Sequence, residues 1–120
     1  MQGMLFLGDK KVGLRDFPDP MPSASQVIVK MKATGLCGSD LRPYRSTLDG
    51  LGARASVIGG HEPCGEVVEL GPDVRSLSIG DRVMVHHYSG CGHCEHCLSG
   101  WAQLCKNGMT LYGSTAHGGF

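Results

Sequence analysis

Four of the six cysteines in this chain lie between positions 91 and 105, in the stretch CGHCEHC and at the following Cys105. A cluster of this density constrains the fold, because thiols that are so close in sequence are brought together by any compact structure. They then serve as disulfides, as a redox pair or as ligands of a metal ion. The rest of the sequence discriminates among these three interpretations.

The redox compartment is the first discriminating observation. The opening stretch MQGMLFLGDKKVG has too short an apolar run, and no basic region ahead of it, to be a secretory signal. No stretch approaches the roughly 18 to 20 apolar residues that span a bilayer. We therefore expect a cytoplasmic protein with no membrane partner. In a reducing cytosol, clustered cysteines are metal ligands or redox groups more often than structural disulfides.

The spacing favours a metal. Cys91, Cys94 and Cys97 are each separated by two residues, and Cys105 follows after seven more. Thiolates at C-x2-C spacing can share one tetrahedral Zn²⁺ at about 2.3 Å, and four of them leave no open position, which is typical of a structural site. His93 and His96 are rival ligands by chemistry, although four sulfurs are the simpler set. A redox pair would leave two cysteines unexplained.

The charge balance argues against nucleic acid as a partner. Lysine plus arginine equals aspartate plus glutamate, at 11 each. A protein whose main work is binding nucleic acid needs a basic face. The segment between Cys91 and Cys105 also contains no lysine or arginine, unlike a nucleic-acid zinc knuckle.

The glycine content and the alternating β-branched segments predict a mainly β fold in a single domain over residues 1–120. Nineteen glycines indicate many tight turns between short strands. We expect a partly closed β-barrel with one short helical turn and an inserted lobe at about residues 89–107, called the cysteine lobe below. The predicted elements are a hairpin over 1–16, strands over 27–34, 64–70 and 80–88, a helical turn capped at Ser39 or Asp40, an irregular loop over 46–56 and the start of a further strand at 118–120.

A second group of metal-binding side chains precedes the cysteine lobe. Cys37 lies in GLCGSD, and His61 and Glu62 lie in GGHEPCG. A thiolate and an imidazole are common zinc ligands, and a catalytic zinc typically has three protein ligands and one open position. Taken alone, a cysteine is more often a small buried residue, and a His-Glu pair is often surface. We therefore predict that Cys64 is a small core residue and not a metal ligand.

The glycine pattern around these residues makes the metal interpretation stronger. Residues 60–74 follow the pattern G-H-E-x2-G-x5-G-x2-V. The phrases GLCGSD, GHEPCG, LGPDVRSLSIGDRV, HYSGCGHCEHC and HGGF occur in this order along the chain. In this series the chain resembles the zinc-containing medium-chain alcohol dehydrogenases over its whole length. The matching part is their GroES-like catalytic domain, which precedes a Rossmann domain.

The resemblance implies roles for individual residues. Cys37 and His61 match two ligands of the catalytic zinc, and Glu62 matches the acidic residue beside that metal. Asp40 matches the carboxylate that hydrogen-bonds the histidine ligand, and Ser39 matches the hydroxyl that passes the alcohol proton outward. The four cysteines of the lobe match the family's structural zinc site.

The implied activity is the oxidation of a small alcohol or polyol with NAD or NADP. Zinc acts as a Lewis acid on the alcohol oxygen, and the hydride goes to the nicotinamide. Two Zn²⁺ are expected, one catalytic and one structural, and a homo-oligomer is expected for the full-length protein.

Three features depart from the family pattern. Arg42 stands where many relatives have a histidine that completes the proton relay, and arginine does not release a proton at neutral pH. The third catalytic ligand of the family lies beyond Phe120. No G-x-G-x-x-G follows a strand and opens a helix, so the Rossmann domain is absent from these residues. We therefore expect this chain to be a truncated part of a longer enzyme, inactive alone and binding NAD or NADP only at full length.

Two alternatives remain open from the sequence. The chain could be a stand-alone zinc-binding structural or interaction module without catalysis. It could also belong to the zinc-free quinone reductases of the same superfamily, which the cysteine lobe and Cys37 disfavour.

Overall fold

The computed structural model describes residues 1–120 and shows a mainly β fold. Seven strands form three separate antiparallel sheets, and no sheet closes into a barrel. No helix has the length and apolar character that crossing a bilayer requires. The strands are β1 (Gln2–Gly8), β2 (Lys11–Asp16), β3 (Val27–Gly35), β4 (Glu62–Leu70), β5 (Arg82–Met84), β6 (Tyr88–Ser89) and β7 (Thr110–Leu111).

The hairpin predicted over residues 1–16 is confirmed. β1 pairs with β2, and the turn between them has positive φ at Asp9 (51°) and Lys10 (60°). Positive φ at both central residues matches the right-handed twist of a two-residue hairpin. β1 is also the most buried strand, since Leu5 and Phe6 are 1% and 7% exposed. It therefore forms the centre of a small core.

The strand predicted over 27–34 is confirmed as β3. It pairs with β4, and β4 pairs with the short β5. Val67 of β4 is fully buried at 0% exposure. This sheet brings the end of β3 and the start of β4 to the same place, because Gly35 lies opposite Glu62 in the register.

Short helical segments fill the connections. They are α1 (Leu41–Arg45), α2 (Leu48–Leu51) and α3 (Glu95–Leu98), with 3₁₀ turns at Gly38–Asp40, Gly52–Ser56 and Ala102–Leu104. The prediction of an irregular loop over 46–56 is therefore wrong. Thr47 caps α2 by accepting a hydrogen bond from the Gly50 N–H (3.2 Å), and this local bond offsets the weak helix propensity of the glycines.

The last three residues do not form a strand, although the sequence predicts an extended start of one. Their N–H groups donate to the carbonyls of residues 58, 60 and 59 at 2.9 to 3.1 Å. The carbonyl of Phe120 accepts from the N–H of Met4, and its ring meets Phe6 edge-on at 6.2 Å. This segment therefore links β1 to the glycines that precede His61.

Candidate functional site

The loop after β3 places Cys37 and Asp40 together. Cys37 is the N-cap residue of the 3₁₀ turn Gly38–Asp40. Asp40 is the N-cap residue of α1, as predicted for the helical turn, although its side chain makes no capping hydrogen bond there. The Asp40 carboxylate accepts the Cys37 N–H at 2.9 Å. The carboxylate thereby fixes the backbone that carries the thiol.

His61 lies at the start of β4 and faces the same loop. Its Nδ1 atom is 3.3 Å from Oδ1 of Asp40, and its Nε2 atom is 3.3 Å from Oγ of Ser39. Gly60 has φ +83°, and the Phe120 ring packs where a Cβ would stand. Only glycine fits both conditions without strain. The backbone before His61 is thus determined by the packing of the chain's last residues.

Cys37, His61 and Glu62 form the first cluster of metal-binding groups. Their ligand atoms all lie within 4.8 Å of one another, and Glu62 is exposed. Hydrogen bonds from Ser39, and then one from His61, lower the pKa of the Cys37 thiol from its ordinary value. A thiolate, an imidazole and a carboxylate within this distance suit Zn²⁺, whose catalytic sites use three protein ligands.

His87 is a further neighbour of this cluster, and none of the sequence motifs singles it out. Its ring lies 5.3 Å from the His61 ring, tilted by 62°. Burial, followed by the nearby His61 and His86, lowers the pKa of His87, while the Glu62 carboxylate opposes the shift. The β4–β5 register pairs Cys64 with Met84, and continuing it places position 87 opposite position 61. The approach of His87 thus follows from strand pairing, and no sequence motif indicates it.

The cysteine lobe supplies the second cluster. Its four sulfur atoms lie within 4.8 Å of one another, with Cys91 to Cys97 and Cys94 to Cys105 both at 4.0 Å. Tetrahedral Zn²⁺ with bonds of about 2.3 Å requires sulfur atoms about 3.8 Å apart. The set therefore fits zinc with almost no rearrangement. The absence of a side chain at Gly90 leaves space for the Cys97 sulfur, which a Cβ at this position would contact too closely.

The thiols of the lobe differ in acidity. A hydrogen bond from the His93 N–H is the main cause that lowers the pKa of Cys91 to about 5. The Cys97 N–H is the main cause that lowers the pKa of Cys94. The Gly92 N–H also lowers the pKa of Cys97, but burial and the three neighbouring thiols outweigh it and raise that pKa to about 11. Without metal, negative charge in the cluster therefore lies on Cys91 rather than on Cys97.

The remaining histidines make other contacts. His93 Nδ1 lies 2.8 Å from the Cys91 carbonyl, and His96 Nε2 lies 3.6 Å from Glu95. His117 accepts the Ile58 N–H and packs on the ring of Phe17. Neither His93 nor His96 belongs to the cluster of four sulfurs. Cys64 is half-buried in β4 and lies outside both clusters.

A comparison with known families decides the affiliation. The sequence profile of the alcohol dehydrogenase GroES-like domain matches residues 23–120. The chain belongs to this family. Both the predicted resemblance and the predicted fold class are confirmed, with three open sheets rather than a closed barrel.

Relatives of this GroES-like domain include several dehydrogenases. The chain is 40% identical over 119 residues to an uncharacterized zinc-type alcohol dehydrogenase-like protein of Escherichia coli, covering 93% of the chain and 34% of that protein. It is 40% identical over 114 residues to a sorbitol dehydrogenase of Halalkalibacterium halodurans, covering 94% of the chain and 32% of that protein. The structure of galactitol-1-phosphate dehydrogenase from Escherichia coli superposes with a TM-score of 0.84 and 30% identity, covering 100% of the chain and 34% of that enzyme. The GroES-like chain thus spans about a third of the length of the relatives it matches.

Proposed function

We propose that the chain forms the zinc-binding catalytic domain of an NAD- or NADP-dependent alcohol or polyol dehydrogenase, in a protein whose nucleotide-binding Rossmann domain lies outside residues 1–120. The observation that carries the proposal is the convergence of Cys37, His61 and Glu62 within 4.8 Å. Membership in the alcohol dehydrogenase GroES-like family supports a small alcohol or polyol substrate, as do the sorbitol and galactitol-1-phosphate dehydrogenases among the relatives. The full-length protein is expected to be a cytoplasmic homo-oligomer.

The residues around the cluster have distinct tasks in this proposal. Cys37 and His61, with Glu62 beside them, would hold a Zn²⁺ that supplies a Lewis acid for the alcohol oxygen, and the family's third ligand is expected beyond residue 120. Oδ1 of Asp40 lies 3.3 Å from Nδ1 of His61, and this carboxylate favours a proton on Nδ1, which leaves the Nε2 lone pair facing the cluster. Ser39 places its hydroxyl 3.3 Å from Nε2, where it can receive the proton of the substrate. Arg42 cannot relay that proton, because arginine does not release a proton at neutral pH. The proton therefore leaves through water or another group.

The four cysteines of the lobe hold a second Zn²⁺ in a closed, structural site. None of residues 89–107 is buried. A segment without an apolar core needs another source of stability, and a metal supplies it.

The test uses the full-length protein, its zinc content and its turnover of NAD⁺ or NADP⁺ with a panel of polyols and polyol phosphates. We expect two zinc ions per subunit and zinc-dependent turnover. Cys37→Ser should retain one zinc and lose turnover, whereas the matched control Cys64→Ser should retain both. Full turnover by Cys37→Ser would refute the proposal. One zinc per full-length subunit without turnover would favour a structural or interaction module instead.

The isolated chain gives a second test. Residues 1–120 contain no nucleotide-binding glycine motif. We expect no reduction of NAD⁺ or NADP⁺ by the chain alone, since the nicotinamide must be held beside the alcohol.

A further inference from the structure

A cavity of about 460 Å³ lies beside α1 and is lined by arginines from two segments of the chain. Arg42 comes from α1, and Arg54 comes from the 3₁₀ turn Gly52–Ser56. The two arginines are twelve positions apart in the sequence, and both line this cavity. Hydroxyl side chains complete its polar wall, at Ser46, Ser114 and Thr115.

The charges in this cavity are not neutralised by the protein. None of the ten lining residues is acidic. None of the five ion pairs in the structure involves an arginine. The guanidinium groups of Arg42 and Arg54 also donate no hydrogen bond within the chain, in contrast to Arg75, which donates to two carbonyls. Arg42 and Arg54 therefore bring two positive charges to the cavity wall that no acidic side chain offsets, and an anion in the cavity would offset them.

The hydroxyl groups differ in their availability. Ser46 donates to the Arg42 carbonyl (3.0 Å), and Thr115 accepts the Leu111 N–H (2.8 Å). The Ser114 hydroxyl has no partner in the structure. The free donors of the cavity are therefore two guanidinium forks and one hydroxyl, which match the oxygens of a phosphate or a carboxylate.

We propose that this cavity binds the phosphate or carboxylate group of a small molecule, held by Arg42, Arg54 and Ser114. Its volume is within the range of small-molecule sites, roughly 300 to 1,000 Å³. Arg54 is half-buried, and Arg42 is exposed to solvent. The anion can belong to a substrate or to a nucleotide, and the chemistry of recognition is the same. The proposal does not depend on turnover.

Calorimetric binding to the zinc-loaded full-length protein at low salt tests the proposal, with glycerol 3-phosphate, glycerol and AMP as probes. We expect saturable binding of glycerol 3-phosphate at millimolar concentration or below, and none of glycerol. Arg42→Gln and Arg54→Gln should each weaken binding at least about tenfold, since each removes charge-assisted hydrogen bonds. Arg54→Lys should weaken binding less than Arg54→Gln, because lysine keeps the positive charge but cannot donate two parallel hydrogen bonds.

The matched control is Arg45→Gln, which removes an exposed arginine from the same helix but outside the cavity. We expect its affinity to be unchanged. The proposal fails if wild type does not bind glycerol 3-phosphate, if glycerol binds equally well, or if Arg45→Gln weakens binding as much as Arg42→Gln. If AMP competes and also requires both arginines, the proposal stands and the anion is a nucleotide phosphate. If AMP does not compete, the proposal stands and the anion belongs to another small molecule.

Discussion

Asp40 lies 3.3 Å from Nδ1 of His61 through one carboxylate oxygen and accepts the Cys37 N–H at 2.9 Å through the other. It is also the one charged residue of the chain that is buried, at 6% exposure. One side chain therefore orients two proposed zinc ligands that are 24 positions apart in sequence. A buried carboxylate that accepts a hydrogen bond from the Cys37 backbone and lies beside the His61 ring restrains both residues.

The first prediction concerns this carboxylate. Asp40→Asn keeps an oxygen for the Cys37 N–H but removes the charge that supports His61. We expect zinc affinity at the first cluster to fall about 10- to 100-fold, as is typical when a partner of a metal-binding histidine is changed. Competition with a chelator measures it.

The control for this prediction is Asp49→Asn, which changes an exposed carboxylate in α2. Zinc affinity should be unchanged in that variant, and the cysteine lobe should retain its zinc in both. An unchanged affinity in Asp40→Asn would show that Asp40 does not support the ligands.

The two clusters differ in how far the sequence alone predicts them. The cysteine lobe is local, so C-x2-C spacing is enough to predict that its sulfurs meet. Cys37 and His61 meet only because β3 pairs with β4 in a register that sets Gly35 opposite Glu62. Spacing cannot supply that register, and the motif resemblance was needed to connect these residues.

The missed features also have physical causes. α2 depends on the single Thr47 cap and contains Gly50, so propensity alone argues against it. His87 approaches His61 through the pairing of β4 with β5, and the spacing of residues in the sequence does not supply that register. The predicted strand across residues 80–88 is split, because the chain leaves β4 after Met84 and Tyr88 pairs with Leu111 instead.

The second prediction concerns protons released when zinc enters the cysteine lobe. In the Cys37→Ser variant the lobe is the remaining complete ligand set. At pH 7 Cys91 is already a thiolate, since its pKa is about 5, whereas Cys97, with a pKa of about 11, must lose its proton. We expect fewer than four protons to be released, and at least one.

Titration calorimetry in two buffers of different ionisation enthalpy gives this number. The sign of the pH dependence follows from Cys91: as the pH falls toward 5, Cys91 takes up a proton that zinc must then displace. The number released should rise and zinc affinity should fall over that range. Release of four protons at pH 7, with no change at lower pH, would contradict the assigned acidities.

The third prediction concerns stability within the lobe. Residues 89–107 include no buried residue, whereas β4 contains the fully buried Val67. Removing zinc with a chelator should therefore raise amide hydrogen exchange in the lobe and leave exchange in β3 and β4 nearly unchanged. Cys97→Ser should produce the same pattern without a chelator, and Cys64→Ser should not. Equal protection of the lobe with and without zinc would show that the metal has no structural role there.

The fourth prediction concerns the core that holds the first cluster in place. Val67 is 0% exposed, and its neighbour Val68 is 39% exposed on the opposite face of β4. Val67→Ala removes two buried methyl groups and leaves a cavity, so we expect the free energy of unfolding to fall by about 2 kcal/mol. Val68→Ala changes the same atoms on the exposed face and should cost less than about 1 kcal/mol. Denaturant unfolding of both variants measures the difference, and equal costs would mean that β4 does not present Val67 to the core.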